Sequence, residues 1–138
     1  NGGHHLVLGL GFVVAVCDIA AYFVGRRVGG PRLAPAISPN KTLSGAAGGM
    51  FAAVIGSVIL LQLVDAGSET RFTFAFAMCA GIVIAVLAQA GDLFESFIKR
   101  RRGVKDSGQL IPGHGGFLDR FDGYLLTLPA LYICSLAF

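Results

Sequence analysis

Charge is what this sequence has least of: 14% of its 138 residues are Asp, Glu, Lys or Arg, whereas soluble domains average about 25%. A mean hydropathy of +0.72 points the same way. Together they exclude an ordinary soluble domain, and a membrane protein is expected before any motif is read. Cysteine is sparse as well. Cys17, Cys79 and Cys134 lie in apolar runs at no pairing or metal-binding spacing, so all three are expected to be small buried hydrophobes. A leader is also missing, because Asn1-Gly2-Gly3-His4-His5 supplies no basic n-region. The chain is therefore expected to begin within a longer protein. Net charge is only +3, so the placement of charge is more informative than its total.

Apolar sequence is plentiful. Crossing a bilayer takes about 20 apolar residues, and four segments approach that length: residues 5–25, 46–64, 72–97 and 121–138. Helix is expected for each, because in lipid every backbone group must be bonded internally. The fold class that follows is all-α, a polytopic membrane bundle of four transmembrane helices. Gly9, Gly11, Gly48, Gly49, Gly56 and Gly81 are expected where helices approach closely.

The basic residues orient these spans. Arg26, Arg27, Arg32 and Lys41 fall in the first connection, residues 26–45. Lys99, Arg100, Arg101, Arg102, Lys105 and Arg120 fall in the third, residues 98–120. The second connection has Arg71 against Asp65 and Glu69. The positive-inside rule then puts the first and third connections in the cytoplasm and both termini outside.

The stretch from Ser96 to Asp122 is the chain's main polar feature. It joins those six cations to Asp106, Asp119, Asp122, His114 and the glycines Gly108, Gly113, Gly115 and Gly116. Cations hold phosphates, and carboxylates hold a hard divalent metal, as phosphoryl chemistry requires. Fixing membrane orientation needs the cations but not the aspartates or the histidine. Asp18 and Asp92 lie about 10–12 Å inward of Arg26 and Lys99 at 1.5 Å per helical residue. Asp119 and Asp122 share one face of the fourth span, and Asp92 and Glu95 repeat that i, i+3 spacing. Four aspartates from three spans thus converge near the headgroup boundary, and a carboxylate within a span is by default functional. The plainer alternative pairs each with an arginine such as Arg26 or Arg120. Ser38-Pro39-Asn40-Lys41-Thr42-Leu43-Ser44-Gly45 has an extended entry and a lysine with two hydroxyls near a helix start, suited to a phosphate. Taken alone, it is ordinary turn chemistry.

These residues resemble the signature of the phosphatidate cytidylyltransferases, the CDP-diacylglycerol synthases. That pattern appears as Ser96, Lys99-Arg100, Lys105-Asp106, Gly108, Pro112 to Gly116, and Asp119-Arg120-Phe121-Asp122. The family's Ser-Pro-x-Lys-Thr segment matches Ser38 to Thr42, and its Asp-Thr-Gly-Ala-Tyr-Phe-x-Gly-Arg is similar to Asp18 to Arg26. Ile19-Ala20 replaces Thr-Gly, and Ser44 stands where the family often has a polar or acidic residue. The resemblance runs from Asp18 to Leu126 and implies the C-terminal, catalytic half of a family member, with further spans upstream.

The resemblance implies transfer of CMP from CTP to phosphatidic acid, giving CDP-diacylglycerol and pyrophosphate in phospholipid biosynthesis. It implies Mg²⁺ on Asp92 and Asp119, supported by Asp122 and Asp18, and leaves open a second ion, divalent or K⁺. Lys105 and His114 join the three motif aspartates as catalytic residues. Ser38, Lys41, Thr42, Lys99, Arg100, Arg120, Gly115 and Gly116, with Asp18, are implied to bind substrate. The partners implied are CTP, phosphatidic acid, membrane lipids, the upstream spans and another copy of the chain, with no nucleic acid. The location implied is the inner or plasma membrane of a bacterium, with the site facing the cytoplasm. A transporter would also bury carboxylates but has no need of the Gly-His-Gly-Gly loop. An anionic-lipid scaffold would need the cations but not the aspartates. The related CDP-alcohol phosphotransferases carry an Asp-Gly-x-x-Ala-Arg run that is missing here.

The charge placement yields a labelling prediction. A cysteine introduced at Gly67 should react with an impermeant maleimide added to intact cells, and one at Ser107 should not. The opposite pattern would invert the topology.

Overall fold

A computed structural model describes residues 2–65, 74–103 and 124–137 of the chain. Four helices follow in order: α1 Gly2–Val28, α2 Leu43–Asp65, α3 Phe74–Arg101 and α4 Tyr124–Ala137. A two-stranded antiparallel hairpin, β1 Arg32–Ala34 and β2 Ser38–Thr42, lies between α1 and α2. Three of the helices contain segments long and apolar enough to cross a membrane: Val7–Val28, Leu43–Leu63 and Phe74–Arg101. The protein is an all-α integral membrane bundle, as its composition predicts. The described part of α4 has 14 residues with Pro129 inside it, short of the full span expected over 121–138.

Two helices run past their expected ends. α1 carries Arg26 and Arg27 in its last turn, and α3 carries Lys99, Arg100 and Arg101. These cations were expected in loops. They extend the helices instead, because positive side chains at a C-terminus oppose the negative end of the helix dipole. Gly29 stops α1 with φ of 65° and an N–H bonded to the Gly25 carbonyl at 3.1 Å, the left-handed cap that glycine adopts without a Cβ clash.

The hairpin was not foreseen. Ser38 to Thr42 form a strand rather than the turn expected of that segment alone. The turn is one step earlier, where Ile37 N–H reaches the Ala34 carbonyl at 3.1 Å across Pro35-Ala36, with proline in its favoured second position. Arg32 faces Thr42 and Ala34 faces Ser38, and the register shifts between these pairs. That irregularity accommodates Pro39, which has no N–H to give a ladder.

The three spans pack antiparallel in sequence. A Cβ on Gly49 would stand 2.8 Å from the Cys17 carbonyl, one on Gly45 would stand 2.7 Å from the Ala21 carbonyl, and one on Gly81 would stand 2.7 Å from Val54 Cα. Gly9, Gly48, Gly49 and Gly81 are thus close-approach positions, as expected, while Gly11 and Gly56 leave ordinary contact distances of 3.4 and 3.7 Å. The core is accordingly small and made of small side chains: Val13, Cys17, Ala53 and Ala85 in one cluster, Leu10, Val14 and Ala88 in another. Large apolar side chains face outward, Leu8 at 72% and Leu63 at 71% exposure among them, the arrangement that suits a lipid solvent. Cys17 is buried as expected, but Cys79 is exposed on the outer face of α3, where lipid accepts a thiol as readily as a core does. The side chain of Cys134 lies outside the described residues.

The backbone contacts give a stability prediction. Gly81→Val should destabilise the bundle by roughly 1–3 kcal/mol through overpacking, read as a shift in reversible detergent-induced unfolding. Gly56→Ala should be near neutral. Equal stability of Gly81→Val and the native chain would show that α2 and α3 do not meet as described.

Candidate functional site

The C-terminal ends of α1 and α3, the N-terminus of α2 and the hairpin meet at one end of the bundle and enclose a cleft of about 790 Å³. Asp18, Tyr22, Gly25 and Arg26 line it from α1, Ser38, Asn40, Lys41 and Thr42 from the hairpin, Gly45 and Ala46 from α2, and Gln89 and Asp92 from α3. Gly25 and Gly45 let α1 and α2 cross closely here, where a Cβ on Gly45 would stand 2.7 Å from the Ala21 carbonyl and one on Gly25 2.8 Å from Thr42 Oγ1, and the hairpin roofs the cleft beside that crossing.

At the centre, Lys41 Nζ pairs with Asp92 Oδ2, their side chains 27% and 30% exposed. The alternative that Asp92 serves only to neutralise an arginine is replaced by this pair with a lysine from the hairpin. Arg26 is engaged elsewhere, donating from Nη1 to the Tyr22 hydroxyl at 2.7 Å. Asp18 shares the cleft with Asp92, so the structure brings together two of the intrahelical carboxylates that it describes, while Glu95 does not line the cleft.

The segment preceding α2 is fixed by a chain of hydroxyls. Gly45 N–H donates to Thr42 Oγ1 at 3.1 Å, the N-cap bond that starts α2 at Leu43 rather than at Ala46. Thr42 Oγ1 and Ser44 Oγ are 3.1 Å apart, and Ser44 Oγ donates to the Gly29 carbonyl. With the Ser44 proton committed to Gly29, Thr42 must be the donor to Ser44. Thr42, expected to bind substrate, therefore uses its hydroxyl to cap the helix, and Ser44 ties that cap to the end of α1. Lys41, the residue before the cap, is positioned by both.

The remaining expected site residues divide. Ser38 and Lys41 line the cleft, but Lys99 and Arg100 do not. Lys99 pairs with Glu95 Oε1 at 3.2 Å, one turn back on α3, and Glu95 is only 3% exposed. Arg100 donates from Nε to the Ile37 carbonyl at 3.4 Å, which ties the hairpin turn to α3. Lys105, His114, Gly115, Gly116, Asp119, Arg120 and Asp122 lie outside the described residues. Gln89 was not singled out in the sequence. Its Nε2 donates to the Ala46 carbonyl at 3.0 Å and lies 3.8 Å from Cys17 Sγ, so α3 is fastened to α2 and α1 one turn before Asp92. The signal was available, since Gln89 is an amide inside an apolar span and three residues from an aspartate.

Among the described residues no three His, Cys, Asp or Glu side chains group as a metal site. Magnesium does not need such a cage, because one or two carboxylates plus phosphate oxygens and water suffice. Asp18 and Asp92 with the neighbouring hydroxyl and amide oxygens of Ser38 and Asn40 fit a hard oxygen-preferring ion of that kind.

Residues 1–138, the full chain, match the profile of the cytidylyltransferase family. The phosphatidate cytidylyltransferase of Brucella suis biovar 1 (strain 1330) is 48% identical over 126 residues, which cover 91% of this chain and 45% of that protein. The enzyme of the same name from Staphylococcus haemolyticus is 42% identical over 133 residues, covering 96% of this chain and 50% of the relative. That from Staphylococcus aureus (strain COL) is 40% identical over 131 residues, 95% and 49% of the two chains. The chain spans about half the length of these curated relatives. With its whole length matched, and with Asp18, Lys41 and Asp92 lining one cleft, the chain belongs to the cytidylyltransferase family.

Proposed function

We propose that this cleft is part of the site of a phosphatidate cytidylyltransferase, which joins CMP from CTP to phosphatidic acid. A phosphate oxygen of the lipid attacks the α-phosphorus of CTP, the bond to the β-phosphate oxygen breaks, and pyrophosphate leaves. The observation that carries the reading is the Lys41–Asp92 pair in a cleft shared with Asp18. A cation and two carboxylates at the end of a membrane bundle suit a reaction between a lipid phosphate and a soluble triphosphate.

The chemistry asks little of a general base. A phosphomonoester with a second pKa of about 6 is already largely ionised near neutrality. What remains is in-line positioning and neutralisation of negative charge. Lys41 suits the triphosphate, and the pair with Asp92 holds the ammonium within the cleft beforehand. Ser38 and Asn40 offer further polar contacts at the same wall. Lys105, His114, Gly115, Gly116 and Arg120 complete the nucleotide contacts in this reading, with Lys99 and Arg100 at the rim. Mg²⁺ would be held chiefly by Asp92 and Asp119 with Asp122 and Asp18 in support, and would supply charge neutralisation and activation of pyrophosphate as leaving group. A second divalent ion or K⁺ remains compatible with the same donors. The cleft end is taken to face the cytoplasm of a bacterial inner membrane, where CTP is available.

Asp92→Asn and Asp119→Asn should each lower CDP-diacylglycerol formation by about a hundredfold or more, as removal of a charge-stabilising group does, while insertion and folding persist. Near-native turnover by either variant at limiting Mg²⁺ would remove that residue from the metal site.

A lipid site also needs an apolar groove, and polar groups left open to hydrocarbon cost several kcal/mol each. The reading therefore includes association with the upstream spans of a longer protein or with a second copy. The 138-residue chain alone should bind CTP with Mg²⁺ weakly and turn over phosphatidate poorly, and co-expression with the upstream half of a relative should restore turnover. Full activity of the chain alone would show that its own helices complete the lipid site.

A further inference from the structure

Among the described residues two cations line the cleft, and they are placed differently. Lys41 is paired with Asp92. Arg26 has no carboxylate within ion-pair distance among the described residues, and its contacts are with Tyr22. Nη1 donates to the Tyr22 hydroxyl at 2.7 Å, and the guanidinium carbon stands 6.0 Å from the centre of the same ring. Of the five N–H donors that an arginine fork presents, one is used among the described residues.

The direction of that contact is informative. An arginine near the end of a membrane helix ordinarily extends outward and leaves its charge in water. Arg26 is two residues from the end of α1, and Tyr22 is one turn deeper. Asp18, Tyr22 and Arg26 follow one another at i, i+4 along one stripe of α1, so the hydroxyl couples the guanidinium to the residue one turn nearer Asp18. The face of α1 on which this occurs is otherwise greasy and unpacked, with Phe12, Ile19, Tyr22 and Phe23 all about half exposed. Arg26 is thus the cleft cation on this outward-facing, apolar side of α1, and Lys41 is the one supplied by the hairpin.

Resting on the phosphatidate reading, we infer that Arg26, held back by Tyr22, is the receptor for the phosphomonoester head of a lipid that enters the cleft from the bilayer along this face of α1. A guanidinium donates two parallel bonds to a phosphate, which an ammonium does not match. The tyrosine keeps the fork ordered before the lipid arrives, so less side-chain entropy is lost on binding. The triphosphate is left to Lys41 and the motif cations. The two phosphates of the reaction thereby approach from different sides and meet between Arg26 and the Lys41–Asp92 pair.

The experiment titrates the detergent-solubilised chain, co-expressed with the upstream half of a relative, with phosphatidate, with phosphatidylcholine of the same acyl chains, with inorganic phosphate and with CTP plus Mg²⁺, following binding by native mass spectrometry and equilibrium dialysis. Arg26→Gln should cut the preference for phosphatidate over phosphatidylcholine by about tenfold or more, the scale of a lost charge-assisted contact, and leave CTP affinity unchanged. Arg26→Lys should recover only part of the preference, because it restores charge without the fork. Tyr22→Phe should show a smaller loss, because it keeps the ring and removes only the hydroxyl that orders the fork. A preference that survives Arg26→Gln, a loss that falls on CTP or equally on inorganic phosphate, or a loss explained by a parallel drop in unfolding midpoint would each overturn the inference. If the co-expressed native protein binds CTP but does not distinguish the two lipids, the inference fails alone. If it binds neither CTP nor phosphatidate selectively, the phosphatidate reading fails with it.

Discussion

A charge cannot stand alone at the edge of an apolar bundle, and the Lys41–Asp92 pair answers that constraint at the centre of this structure. Removing two ions from water is costly, and only close pairing with good geometry offsets it. Lys41 must therefore be delivered to Asp92 from a separate segment and held there. The hairpin brings it down, the Thr42 cap fixes where α2 begins, and Ser44 binds that cap to the end of α1. On the other side, Gln89 fastens α3 one turn before Asp92. The polar contacts around the cleft serve to set the height and angle of two side chains.

The apolar part of the bundle makes that accuracy attainable. In lipid there is no hydrophobic drive between helices, so association rests on close packing and a few interhelical hydrogen bonds. Gly45, Gly48 and Gly49 let α2 lie against the backbone of α1, and Gly81 does the same between α3 and α2. Such contacts leave little freedom to slide. The cleft opens at the end of that tight α1–α2 contact, beside Gly25 and Gly45 and under the hairpin.

Much of this was legible in the sequence. Long apolar runs announced the spans, and Asp18, Asp92 and Lys41 stood out because charge there is costly or sits in a motif. All three line one cleft. The helix ends were less legible. Hydropathy marks where lipid stops, but α1 and α3 continue past that point through Arg26–Arg27 and Lys99–Arg101, because backbone hydrogen bonding and the helix dipole do not depend on lipid. The hairpin was hidden because Ser-Pro-Asn-Lys has the composition of a turn, and its pairing partner, Arg32 to Ala34, carries no strand signal in so short a length. Thr42 and Ser44 could be seen as hydroxyls, but which proton goes where depends on Gly29 coming within reach, a tertiary fact.

The hydroxyl chain at the base of the hairpin also has a mechanical meaning. The arm that carries Lys41 is clamped at its root, where Thr42 and Ser44 join it to two helices. Among the described residues, its tip at Pro35-Ala36 is held by the Arg100 contact to the Ile37 carbonyl. It is built as a cantilever. Added length at the tip would leave the root and the lysine where they are, whereas one residue inserted between Lys41 and Leu43 would turn the lysine away from the carboxylate. Variation in loop length among related chains is therefore tolerable on one side of Lys41 and not on the other.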